Sequence, residues 1–557
     1  MSLLCTSSIS FILLIINLII IILPTTLAIP SIPPQRNKNS YELETVIKNA
    51  IMKNIPQTIH VEPKDYVFSN VSLKIVGAKD LHIDGNGANL IFYYGFGVNI
   101  VNSNNCTFNG FTLDSNPPNF AQGIVSSIDS NSFIAKFSQD FIPPDVNTIS
   151  SPFHNAGGLA GAKVAFWNET TKYMQPLGNQ FMSNATSLGN YVFKIDLAGK
   201  LRGNILTGIT PVTIFPRRGY TWNIMNSSKI TTENVTIHAG GNMGFHESFG
   251  KGGNIYNSVA VKRRAGSNHL LALNADGFHS SCVEKGPTLQ NSEISFTGDD
   301  FLNIHNRMLI ICKSLDLNTL AIIDPSGSNG TLAEMSTGDT ISFFKLLGGA
   351  DCKNGCPISN KRLGVSVVKQ SNLVTDDHEL LKECSQAFVE MQKPPYNAPM
   401  VLPAIPNIVY KIQFQDAVPT EATATKYNLG NFDNRSNAGS VVINNHFHDG
   451  FSRMGLLKAV DLTYKNNIVE RANGLYIDSE QEWLEGDLGL HNITVINNTI
   501  VDPTVCGVQN LNATECFKSN SNFLQVQHGL FNLTCIENTL VSNGKEKVEM
   551  DDICRLS

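Results

Sequence analysis

Asp276 lies 23 residues before the adjacent pair Asp299 and Asp300, and each acidic motif runs on into a histidine. The motifs read NADGFH (Asn274 to His279) and GDDFLNIH (Gly298 to His305). Carboxylates crowded onto one surface cannot all ionise freely, so at least one keeps its proton to a higher pH. A protonated carboxyl beside an ionised one is what hydrolysis of a glycosidic bond uses. His279 and His305, 26 residues apart, are then placed to orient a carboxylate or a sugar hydroxyl, with Asn303 grouped beside them as a substrate contact. The bland reading is two polar turns, since DG and GDD are common turn sequences. A carboxylate cluster also suits Ca²⁺, which takes six to eight oxygens. The pairing of the motifs favours a sugar-processing site that needs no metal or other cofactor.

That chemistry requires the chain to return to the same place after about 23 residues. Runs such as SSKITTENVTIHA, GGNIYNSVAVKR, AGSVVINNHFHDGF and LHNITVINNTIV repeat one pattern: a β-branched strand, Asn or Asn-Asn, then a second short strand. Successive copies lie about 22 to 25 residues apart, as from Ile230 to Ile255 and from Asn445 to Asn467. A loose repeat of this period predicts a solenoid in which each coil buries its apolar face only against its neighbours. The Asn residues fall at turns, where their side chains bond local backbone and tolerate the left-handed conformation. The expected fold is all-β: a right-handed parallel β-helix with an N-terminal capping helix and two β-rich insertions. Adjacent coils of a parallel sheet stack about 4.8 Å apart, which sets Asp276 and Asp299 one above the other.

The capping helix is SYELETVIKNAIMKN (Ser40 to Asn54), with apolar residues at helical spacing. Two stretches lack the Asn pattern and read as strand, polar turn, strand. The expected division is a signal peptide at 1–28, cap and first coils at 29–121, and an insertion at 122–217. Central coils bearing the acidic motifs follow at 218–307, a second insertion at 308–413 and the last coils at 414–557.

The chain carries 41 basic and 47 acidic residues in 557, with no basic block, which excludes nucleic acid as a partner. The apolar run SFILLIINLIIIILPTTLAIP ends in a small-residue site at Ala28 and reads as a cleaved signal peptide, with a signal anchor as the rival. No second such run follows, so no stable membrane association is expected once it is removed. Ten cysteines beyond it suggest disulfides, among them a local bridge between Cys352 and Cys356. About a dozen Asn-x-Ser/Thr sequons fit a secreted glycoprotein.

NADG and GDD resemble the paired signatures of polygalacturonase-like hydrolases, although neither Gly-His-Gly nor Arg-Ile-Lys follows them. A fuller resemblance is to the family 110 glycoside hydrolases, exo-acting α-1,3-galactosidases with a β-helix and inserted β-barrels. It spans NVTIHAGGNMGFHES, NADGFHSSC, GDDFLNIHN, GDTISFF and GLYIDSEQEWLEGDLGLHNITVINNTI, in order, from Asn223 onward. The resemblance implies inverting hydrolysis of a terminal α-linked galactose, with Asp299 and Asp300 on the water-activating side. Glu485, in EWLEGD, is the first candidate for the acid, with Glu482 and Glu334 as others. Trp483 is placed to stack on a sugar face and Arg453 to contact a hydroxyl or carboxylate; each has a structural alternative, a coil-edge aromatic and an ion pair. Two other readings keep the fold: a polysaccharide lyase or epimerase, and a secreted carbohydrate-binding β-helix without catalysis. The partner in every case is an oligo- or polysaccharide, and the oligomeric state stays open.

Overall fold

The computed structural model describes residues 36–502, 524–526, 531–542 and 546–549. Positions 70, 94–95, 148–152, 154–160, 176–179, 204, 324–334, 347–357, 392–407, 425–428, 451 and 481–482 lie outside the description. The expected signal peptide, the Cys352–Cys356 bridge, Glu334 and Glu482 all fall on residues that are not described. No helix among the described residues is long and apolar enough to cross a membrane.

Helix α1 (Lys38–Lys53) starts where the Asn37 side chain accepts from the Ser40 backbone N–H at 3.0 Å, and ends at Asn54 in the left-handed conformation. Leu43, Ile47 and Ala50 are buried, the i, i+4, i+7 stripe that an amphipathic helix presents. They join the first coil residues, Phe68 and Leu73 among them, in one apolar core that continues to Leu540. The helix thus covers the open end of the stack.

Behind the helix the chain winds as a parallel β-helix. A nine-stranded parallel sheet takes one strand from each coil, including Trp222–Met225, Phe245–Ser248, Phe278–Ser281, Leu302–His305, Arg453–Lys458 and Asn473–Ile477. A nineteen-stranded sheet completes the coils and is parallel up to its last pair, Thr539–Ser542 against Glu546–Glu549. Rings stack from coil to coil inside, with Tyr256 and Phe278 centred 4.8 Å apart and Phe301 and Phe447 5.9 Å apart.

The recurring Asn-Asn has a division of labour. The first member of each pair (Asn444, Asn466, Asn497) turns the chain at positive φ and donates an exposed amide-to-amide hydrogen bond back to the preceding coil. The second (Asn445, Asn467, Asn498) is buried and forms an inner ladder. Asn467 Oδ1 accepts from the Asn445 amide and backbone N–H at 3.0 Å, while its Nδ2 donates to Val442 O and Asn498 Oδ1. The ladder supplies partners to turn backbone that the sheet leaves unpaired.

Two closed antiparallel barrels interrupt the winding. The first runs from Ala121 to Phe215 in six strands, with its own apolar core. The second runs from Met308 to Phe432, so its closing strand, Leu429–Phe432, lies past the expected end at 413. That strand pairs with both Met308–Ile310 and Ile341–Phe344, and the barrel cannot close without it. Cys312 and Cys384 join its first strand to a helix, His378–Met391. Among the described cysteines, Cys106 and Cys282 are buried free thiols, so disulfide pairing does not extend to all ten.

On the outer sheet, His448 contacts Asp449 at 2.8 Å and Glu293 at 3.4 Å. Burial lowers its pKa, but these two carboxylates outweigh it and raise it to about 9, and Glu293 falls to about 2. A histidine raised in the fold stabilises fully below its unfolded pKa, and that contribution is lost as pH rises through the folded value. His448→Gln is therefore expected to lower stability at pH 6 and to converge with the wild type by about pH 10, as read by urea midpoints at each pH. Asn467→Ala, which strands buried partners on both neighbouring coils, is expected to cost about 3 kcal/mol in the same assay.

Candidate active site

Parallel register places the site. Phe278 pairs with Leu302, a coil of 24 residues, so the position two residues earlier sets Asp276 beside Asp300. The Gly277 N–H donates to Asp300 O at 2.9 Å, consistent with that alignment. The expected stacking of Asp276 on Asp299 is therefore displaced by one residue. In a strand, that residue changes the face a side chain points to. The same register pairs His279 with Asn303, not His305; Asn223, His246, His279 and Asn303 form one row. His305 pairs with Ser281, and on the next coil with Lys458.

Single carboxylate oxygens of Asp276, Asp299 and Asp300 all lie within 4.8 Å of one another, on three buried side chains. Each has its own partner. Arg453 grips Asp300 through its backbone N–H, Nε and Nη2 at 2.9–3.0 Å. Burial pushes the Asp300 carboxyl up, but Arg453 outweighs it and holds it below its ordinary value. Asp299 accepts from Lys163 Nζ at 2.7 Å and pairs with Arg217, both delivered by the first barrel and its exit. Burial and then Arg217 push the Lys163 ammonium well down, which leaves Arg217 the firmer charge on Asp299. Asp276 Oδ2 meets His279 Nδ1 at 2.7 Å, and His279 Nε2 meets His305 Nε2 at 2.9 Å. The three oxygens have the spacing of a cation site, and Arg217 and Arg453 already provide counter-charge to Asp299 and Asp300.

Glu485 stands on the far side of His305, 3.9 Å from its Nε2. It accepts from Asn303 Nδ2 and from Lys458 Nζ, both at 3.1 Å, and Arg307 lies 3.5 Å away. Burial pushes this carboxyl up, while His305 first, then Lys458 and Arg307, draw it down. These partners favour the ionised form of a residue whose expected role is that of the acid. Trp483 is 38% exposed beside it, and Arg453 forms a part-buried ion pair with Asp300 and Glu480. Both Arg453 and Trp483 are thus at the site, Arg453 as a clamp on Asp300.

No protein-family profile and no curated protein matches this sequence. Among solved structures, similar folds include the A-module of the Azotobacter vinelandii mannuronan C-5 epimerase AlgE4. It has a TM-score of 0.32 and 8% identity, over 92% of this chain and 87% of that one. Another is PfbA, a surface adhesin of Streptococcus pneumoniae, with a TM-score of 0.24 and 9% identity over 94% of both chains. Likeness this distant says nothing of function. The family 110 resemblance stands on the quoted motifs alone.

Sequence reading missed Lys163, Arg217, Tyr220, His246, Lys458 and Glu480. His246 was findable: GFHES and GFHSS repeat, and they align His246 with His279. Tyr220, 38% exposed, stacks on His246 with ring centres 4.3 Å apart. The Glu247 of GFHES points the other way, into the coil, where Asn254, Tyr256 and Ser280 donate to it.

Replacing Arg453 by Met leaves the buried Asp300 without its cation, and is expected to cost about 3–5 kcal/mol in urea unfolding. Asp300→Asn, which leaves Arg453 its Glu480 partner, is expected to cost clearly less.

Proposed function

We propose that this protein is a secreted glycoside hydrolase acting on terminal sugars of glycans at the Asp276, Asp299 and Asp300 cluster. The observation that carries the reading is the spacing of those three oxygens, within 4.8 Å. Two hydrogen bonds of about 2.8 Å at one tetrahedral oxygen span about 4.6 Å, so Asp299 and Asp300 suit a single clasped water with Asp276 beside it. The Asp300 carboxylate is kept ionised by Arg453, as a group that takes a proton from water must be. Asp299, ion-paired beside it, shares that task. Tyr220, stacked on His246, and Trp483 are both partly exposed, and aromatic rings of this kind suit a sugar's C–H face.

The family resemblance refines this to an exo-acting α-galactosidase that inverts. The trio is tighter than the about 6.5–9.5 Å of inverting carboxyl pairs and nearer the about 5–5.5 Å of retaining ones. Inversion is therefore the part of the resemblance that the spacing favours least, and NMR of the first-formed anomer measures it. The sequons and the N-terminal apolar run support a route through the secretory pathway.

A second reading, elimination or epimerisation on a uronate, gains from cations that the sequence did not place together: Lys163, Arg217, Arg307, Arg453 and Lys458. Each of them already faces a carboxylate of the protein, which leaves the hydrolase reading ahead.

Purified full-length protein is expected to release sugar from aryl α-galactosides or from an α-1,3-linked digalactoside. Asp300→Asn should lower kcat about 10³-fold with the β-sheet circular dichroism unchanged. No turnover across a panel of α- and β-linked glycosides would sink the proposal, and an unsaturated product absorbing in the ultraviolet from a uronan would favour elimination.

A further inference from the structure

Three hydrogen bonds lie in line from the acidic cluster into the protein. Asp276 Oδ2 meets His279 Nδ1 at 2.7 Å, His279 Nε2 meets His305 Nε2 at 2.9 Å, and His305 Nδ1 meets Asn306 O at 2.7 Å. Each link requires one hydrogen between its two heavy atoms. The Asn306 carbonyl has none to offer, and an ionised carboxylate has none either. Two neutral imidazoles bring two hydrogens, one each. Three links therefore need a third.

We infer that the Asp276–His279–His305 chain holds one proton more than an ionised aspartate and two neutral histidines would carry, and that Asp276 delivers it to the leaving oxygen. The delivery half of this inference rests on the hydrolase reading; the proton count does not.

The end at which the extra proton sits follows from the surroundings. His305 is fully buried, and burial drives its imidazole toward the neutral form more strongly than the nearby Glu485 opposes it. Arg307 and Lys458 act on it in the same direction as burial. A neutral His305 spends its single hydrogen on Asn306 O, so its Nε2 accepts and His279 Nε2 donates. His246 faces His279 from the preceding coil with ring centres 5.5 Å apart; it is bonded to Asn223 and also pushed to the neutral form by burial. The extra proton is thus shared between His279 Nδ1 and Asp276 Oδ2. Asp300, in register on the next coil, is kept ionised by Arg453. A proton shared at Asp276 beside an ionised Asp300 is how neighbouring carboxyls divide acid and base work.

The step balances. The Asp276 O–H bond breaks and its proton goes to the glycosidic oxygen, which also takes the electron pair of the breaking bond to the anomeric carbon. Water forms the new bond to that carbon and gives its proton to Asp300 or Asp299. The chain is left with an aspartate and two neutral histidines, and exchange with solvent restores the third proton.

Asp276→Asn is a clean probe, because an amide N–H supplies the third hydrogen covalently while offering no transferable proton. The fold is expected to survive, as read by thermal unfolding. Turnover of a galactoside with a poor leaving group should fall about 10³-fold, while a dinitrophenyl galactoside, whose leaving group needs no protonation, should lose tenfold at most. Equal losses on both substrates would overturn delivery by Asp276. Separately, nitrogen-15 histidine NMR of the wild-type protein near neutral pH should show protonated nitrogens at His305 Nδ1 and His279 Nε2, and a hydrogen-bonded proton at His279 Nδ1 that Asp276→Asn alters. Spectra accounting for only two hydrogens along the chain would overturn the count, even in a protein that turns over no glycoside.

Discussion

Parallel backbone register is the constraint on which the rest depends. Each strand of the nine-stranded sheet is hydrogen-bonded to the next without slippage from Trp222 to Leu302, so side chains on successive coils fall into rows. Because successive residues point to opposite faces, one row can be wholly catalytic in type while the next is core. Asn223, His246, His279 and Asn303 share one row; Ile224, Glu247, Ser280 and Ile304 share the adjacent one. A one-residue slip would turn the imidazoles inward and the isoleucines out. The inner Asn ladder opposes such a slip, since each buried amide has its partners one coil away.

Gathering carboxylates on that face carries an electrostatic cost, and the barrels help to meet it. Asp299 accepts a hydrogen bond from Lys163, which sits on a first-barrel strand, and is ion-paired with Arg217, which follows the barrel's last strand. Arg307, immediately before the second barrel, lies against Glu485. Asn431 of the second barrel donates to Arg307 O and to Gly486 O, fixing the loop that bears Glu485. The insertions are therefore part of the site and not appendages to the coil. A buried carboxylate without such partners would take up a proton or destabilise the fold.

What was legible follows a simple division. The Asn-Asn repeat was readable because one amide type serves every coil, and the capping helix because its apolar stripe is local. The Asp276–Asp300 alignment was not, because the repeat is irregular. Coils of 24 and 33 residues occur side by side, and a spacing near 23 could not separate Asp299 from Asp300. Glu485 was readable as a candidate but its cationic partners were not, since Lys458 and Arg307 lie 27 and 178 positions away along the chain. The end of the second barrel escaped for a related reason: its closing strand, Leu429–Phe432, carries no pattern of its own and is defined only by its two partners.

The sequence by itself determined that the chain coils in parallel, that two segments leave the coil, and that acidic and histidine motifs recur about one coil apart. Those properties are periodic or local, and short-range patterning of apolar, Asn and Gly residues suffices to encode them. Only the tertiary structure decided which aspartates are neighbours, which cation answers each carboxylate, and that His279 and His305 bond to one another. Those are contacts between coils and barrels separated by up to 182 positions, and protonation is set by the sum of such contacts in a buried space, which no single stretch of chain contains.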